Sequence, residues 1–208
     1  MTEHATASTA TSTTATTASP AHAQAKYQLR FDWAHDGLAT VASDADIVVW
    51  VDVLPPVGAD QHATARDALP HIPEFAAVIS GGLTTASAVA AWIIAEQVRL
   101  GRRAMVAIVA AGGTTASGGV RFAVEDQLAA GAIVDALAAV GIDYSSPEAA
   151  AACAAFTGLR GAVAHLLTAS VSGQEHVAAG RTPAEIAPAG RVDTVNDVTI
   201  LRGPSGAE

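Results

Sequence analysis

The sequence holds a single cysteine, Cys153, a single lysine, Lys26, and only 4% aromatic residues. One cysteine excludes an internal disulfide framework and any multi-cysteine zinc site. With 11 basic against 20 acidic side chains, the net charge is -9. The clustered Lys and Arg that nucleic acid or an anionic membrane surface would need are missing, so neither is expected as a partner. No apolar run is read as reaching the roughly 18–20 residues of a membrane span. With so few aromatics, the core must be made of Ala, Val, Leu and Ile, the bulk of the 50% of residues that are hydrophobic. A chain of 208 residues buries enough surface to fold unaided as one unit. These features describe a soluble α/β-type protein, expected in the cytoplasm.

Residues 1–25 are mostly Thr, Ala and Ser, without periodicity, a basic start or an apolar middle. Such sequence is no secretory signal and cannot bury enough apolar surface to offset its ordering entropy. It is expected to be a disordered tail before one domain over 26–203, with a short tail at 204–208.

The run Ile47–Leu54 is β-branched and apolar without alternation, as a strand buried on both faces is. It ends at Pro55-Pro56, which cannot continue a ladder. Further strands are expected at Ala77–Ser80, Met105–Ala110 and Val195–Leu201. Helices are expected at Ala86–Leu100, stopped by Gly101, and at Ala123–Val140, with Gly141 just past its end. Ser146-Pro147-Glu148 has the N-cap, N1 proline and early acid of a helix running to about Phe156. Ala162–Val171 continues as helix, and Thr182-Pro-Ala-Glu185 fits a capping box. Strands alternating with helices predict a layered α/β domain with helices on both faces of a sheet.

Three places could carry chemistry. Asp52 is a lone carboxylate near the end of an apolar strand, where burial is costly without a partner and where ligands of α/β sheets gather. Gly112-Gly-Thr-Thr-Ala-Ser-Gly-Gly119 joins a strand to a helix, and its backbone N–H groups and hydroxyls suit an anion. It lacks the Gly-Lys-Ser/Thr of a P-loop and the spacing of a dinucleotide fingerprint, and a plain βα turn explains it equally well. Glu125-Asp126 open the long helix, where the dipole favours acids at roughly 0.3–1 kcal/mol each; a Mg²⁺ ion would be the functional alternative. The seven histidines form no ligand-spaced cluster.

Taken in order, these segments resemble the 2-phosphosulfolactate phosphatase (ComB-like) family. The likeness is densest from Val106 to Leu137, where the strand Val106-Ala-Ile-Val-Ala-Ala-Gly112 and the helix Val124-Glu-Asp-Gln-Leu-Ala-Ala-Gly-Ala-Ile-Val-Asp-Ala-Leu137 match a strand, a glycine turn and an E-D-x-x-A-G-A-I helix. Leu83 to Trp92, Arg30-Phe-Asp-Trp33, Val51-Asp-Val-Leu54, Ser146-Pro-Glu and Ser170-Val-Ser-Gly173 extend it over most of 27–201. The resemblance implies a three-layer α/β/α fold with a mixed, mostly parallel sheet, and pairing into a homo-oligomer. It implies Mg²⁺-assisted hydrolysis of a small anionic phosphate ester, 2-phospho-3-sulfolactate, to 3-sulfolactate and phosphate. On that likeness Asp52, Glu125 and Asp126 are the catalytic residues, with Asp52 and Asp126 as metal ligands. Gly112, Gly113, Thr114 and Ser172 would bind the substrate. The chain departs from the family at Pro55-Pro-Val-Gly58, at the short stretch Val57–Ala76 replacing a long middle section, at Thr85 in place of Asn, and at Ser172 where a histidine is usual. These differences leave a non-catalytic protein that binds an anion, a metabolite or a partner as the alternative.

Overall fold

The runs Ile47–Val51 (β2) and Val106–Ala110 (β4) are buried at every position, as strands covered on both faces must be. In the computed structural model, which describes residues 20–205, they sit inside a five-stranded sheet. Its order is β1 (Leu29–Trp33), β4, β2, β3 (Ala77–Gly81) and β7 (Thr199–Arg202). The first four strands are parallel and β7 pairs antiparallel with β3. The fold is therefore α/β with a mixed, mostly parallel sheet, as expected.

Successive strand residues face two separate cores. Val48, Trp50, Val78, Ala107 and Val109 meet Leu38 and Val41 of α1 (Ala34–Val41) and Ala65 and Ala68 of α2 (Ala63–Ala68). Val49, Val51, Ile79, Ile108 and Ala110 belong to the larger core on the other face. There they join residues of α3 (Ala86–Leu100), α4 (Val124–Ala139) and α5 (Pro147–Leu159), including Val89, Ile133 and Phe156. The result is three layers, helix on sheet on helix.

Several expected elements take a different form. β2 stops at Val51, so Asp52 is the first residue beyond the strand and not within it. The ladder does not go on: two residues past its end, the Val53 N–H donates to the Asp126 side chain at 2.8 Å. The expected closing strand is shorter, Thr199–Arg202. The glycine segment is not an open turn; it folds into a hairpin of β5 (Gly113–Thr114) and β6 (Val120–Arg121). The helix expected over Ala162–Val171 is two helices, α6 (Val163–Ala169) and α7 (Val171–Ala178). Ser170 parts them: its hydroxyl donates to the Leu167 carbonyl at 2.8 Å and accepts from Gly173 N–H at 3.0 Å. A Cβ at Gly173 would lie 2.2 Å from that same carbonyl oxygen, so the Ser-Val-Ser-Gly sequence is what this tight corner requires. Beyond it, α8 (Pro183–Ile186) starts where the Glu185 carboxylate accepts from Thr182 N–H at 2.7 Å, as the capping-box pattern predicts.

The tail boundary also moves. Residues 1–19 lie outside the described residues, but 20–25 form turns against β1. The Gln24 amide donates to the Phe31 carbonyl at 2.8 Å and accepts from Phe31 N–H at 3.0 Å. One side chain thus stands in for a neighbouring strand. By length and composition the stretch Pro147–Ala178 is apolar enough to cross a membrane, contrary to the sequence expectation. In the fold it bends at Ser170 and turns Ala149, Ala152, Phe156, Val163 and Leu167 into the core.

Candidate functional site

Because β1 to β4 are parallel and in register, Trp33, Ala110, Val51 and Gly81 end along one edge. Ligands of open α/β sheets bind outside such carboxyl ends. The chain leaving β2 brings Asp52 there, the chain leaving β4 brings Gly112, and α4 starts beneath both.

Asp126, in the first turn of α4, is 2% exposed. Its Oδ1 accepts from Val53 N–H at 2.8 Å and its Oδ2 from Gly112 N–H at 2.9 Å. It therefore ties together the two chain segments that leave the central strands. This is neither the plain dipole role nor the open metal ligand expected from sequence. The Gly112 N–H, assigned to a substrate anion, is likewise already used. Burial and the Asp52 carboxylate push the Asp126 carboxyl well above the usual range.

Asp52 is 9% exposed and its Oδ2 accepts from the Thr64 hydroxyl at 2.5 Å. Burial raises its carboxyl; the Thr64 hydrogen bond opposes this, and the charge of Glu125 adds to it. Glu125 is 2% exposed, and its Oε2 has no partner among the described residues. Asp52, Glu125 and Asp126 thus come close enough to act on one another electrostatically. No three His, Cys, Asp or Glu side chains among the described residues are grouped as ligands of one metal ion.

The other expected residues meet at a cavity of about 350 Å³ walled by Pro55, Gly112, Gly113, Thr114, Ser172 and His176. Gly112 has φ +64°, and a Cβ there would lie 2.8 Å from the Arg121 carbonyl oxygen, so only glycine allows the hairpin to fold this closely. Folding it brings Arg121 onto the same wall. Arg121 Nη2 donates to Glu175 at 3.3 Å, while Nη1 is buried without a partner among the described residues.

His176 Nε2 lies 2.8 Å from the Pro55 carbonyl oxygen and Nδ1 lies 3.3 Å from the Arg181 guanidinium. A guanidinium can only donate, so Nδ1 accepts and Nε2 carries the proton toward Pro55. Neither Arg121 nor His176 was singled out for this site from sequence. A lone Arg after a glycine loop and a His in a short helix carry no spacing signal; the hairpin and the Ser170 corner bring them in.

No family model matches the chain, and no curated protein matches it either.

Proposed function

We propose that the chain hydrolyses a small phosphate monoester at the carboxyl edge of its sheet. Kinship with the 2-phosphosulfolactate phosphatases is part of this proposal, with 2-phospho-3-sulfolactate as the substrate, the cytoplasm as the working place and pairing of copies as the assembly. The observation that carries it is the buried Nη1 of Arg121, without a partner among the described residues, beside Gly113, Thr114 and Ser172. A guanidinium fork matches phosphate oxygens, and such a hydrogen bond strengthens where water is excluded.

In this reading Arg121 and the Ser172 hydroxyl hold phosphoryl oxygens. Glu125 Oε2 takes a proton from the attacking water, whose oxygen bonds to phosphorus as the ester P–O bond breaks. The leaving alkoxide is protonated from solvent. Asp126 positions both strand-end segments and His176 holds the Pro55 turn. The donor set fits Mg²⁺ in kind: all its donors are oxygens, and Glu125 Oε2 is a buried acceptor beside Asp52 without a partner among the described residues. Asp52 would hold the ion. When bound, it would neutralise charge on the phosphoryl group.

A second reading is an anion-binding protein without turnover. It is favoured by the commitment of both Asp126 oxygens to backbone N–H groups and by the absence, among the described residues, of a three-ligand group. Phosphate release from phosphosulfolactate and a generic aryl phosphate, with and without Mg²⁺, separates the two. Hydrolysis predicts that Glu125→Gln lowers kcat by about 10²–10⁴ and that Arg121→Ala raises KM. Phosphate binding that Arg121→Ala abolishes, with no turnover, selects the second reading. No binding and no turnover would sink both.

A further inference from the structure

A separate cavity of about 220 Å³ opens at the carboxyl ends of β2 and β3, walled by Asp52, Gln61, His62, Ser80, Thr84 and Thr199. The Ser80, Thr84 and Thr199 hydroxyls make no hydrogen bond to any described residue. Gln61 donates to the Asp52 carbonyl at 3.2 Å, leaving its own amide oxygen free. His62 Nδ1 is buried and unpartnered among the described residues. Thr64 engages one oxygen of the Asp52 carboxylate and leaves the other for a ligand.

This wall selects by chemistry. Asp52 is the only Asp, Glu, Lys or Arg lining the cavity, so an anion meets repulsion and no counter-charge. No Phe, Tyr or Trp lines it, so His62 is the one ring there on which a flat ligand could stack. What remains is a ring of hydroxyl and amide groups around one strong acceptor. An alcohol is both donor and acceptor, and several on one short chain can satisfy such a ring together.

We propose that this cavity binds a small uncharged polyol, which donates to Asp52 and exchanges hydrogen bonds with Ser80, Thr84 and Thr199. The site uses none of Arg121, Gly113, Thr114 or Ser172, but it shares Asp52 with the ion of the proposed phosphatase, so a polyol and Mg²⁺ would exclude each other there.

The test is calorimetric titration of the full chain with ribitol and with erythritol, in EDTA. Ligand concentrations stay well below those at which polyols act on proteins by exclusion. Saturable binding is expected, weakened about two- to tenfold by each of Thr84→Val and Thr199→Val and unchanged by Arg121→Ala. Valine keeps the shape of threonine, so unchanged melting curves for these variants separate loss of the site from loss of the fold. Absence of saturable binding overturns the proposal, as does equal affinity in the double valine variant. Tighter binding of n-butylammonium than of ribitol overturns it as well, since that would make Asp52 the partner of a cation.

Discussion

At the amino edge of the sheet, Asp46 precedes β2 and accepts two hydrogen bonds from Arg102, each 2.7 Å, while Asp44 pairs with the buried Arg30. At the carboxyl edge, Asp52, Glu125 and Asp126 are more deeply buried, yet no Lys or Arg among the described residues bonds to them. The carboxyl groups respond in opposite directions. Arg30 holds Asp44 below its ordinary range; burial opposes the same shift at Asp46, but Arg102 and the Met105 N–H outweigh it. Burial raises Asp52 and Asp126, with the Glu125 charge adding to it at Asp52 and the Asp52 and Glu125 charges at Asp126. One edge has its charges neutralised within the fold. The other leaves negative charge uncompensated, which is what a site awaiting a cation or a proton looks like.

The sharpest way to break this contrast is Asp126→Ala. It strands the Val53 and Gly112 N–H groups, at about 1–3 kcal/mol each, partly offset by loss of a repelled buried charge. A net loss of about 2–4 kcal/mol, roughly 5–15 °C in Tm, is expected. An unchanged melt would mean that Asp126 does not brace the two strands. Next in size is Mg²⁺ itself. If Asp52 holds it, saturating Mg²⁺ stabilises the folded chain by up to about 2.7 kcal/mol at a hundredfold excess over Kd. Asp52→Asn should remove that gain, as read by chemical denaturation.

The pH response separates the edges. Asp52 and Asp126 bind protons more tightly folded than unfolded, so their contribution to stability falls as pH rises above about 4. Asp44 and Asp46 behave oppositely: their contribution is present above about pH 4 and is lost on further acidification. The urea midpoint should therefore pass through a maximum on the acid side of neutrality, and Asp52→Asn should flatten its neutral limb. A neutral limb unchanged in that variant would deny Asp52 its raised carboxyl. The smallest effect belongs to Arg102→Ala. That guanidinium is largely exposed, and Asp46 keeps the Met105 N–H when it is lost, so the melt should move by only a few degrees.

Much of this architecture could be read from residue patterns. The helix Ala86–Leu100 has the expected bounds, and Ser146 caps α5 through Ala149 N–H at 3.1 Å, as Ser-Pro-Glu predicts. These features depend on neighbours within one turn, where propensity and capping act. Helices α1 and α2 went unread because they are short and gain their stability from packing on the sheet's second face. Gln24 went unread because a side chain that imitates a strand leaves no periodic trace.

For the candidate site, local pattern picked out Asp52, Glu125 and Asp126 and the glycine segment, since acids in apolar surroundings and clustered glycines are conspicuous in one dimension. It could not assign the Gly112 N–H to Asp126, nor bring Arg121 and His176 to the cavity wall. Sequence by itself determined the central strands, the long helices, the α/β class and the acids at strand and helix ends, because those follow from periodicity and short-range hydrogen bonding. Tertiary structure alone decided which carboxylates went without a counter-charge and which buried guanidinium nitrogen went without a partner among the described residues. Burial and pairing depend on residues far apart in sequence, 73 positions for Asp126 and Val53 and 121 for His176 and Pro55, and no local pattern encodes their meeting.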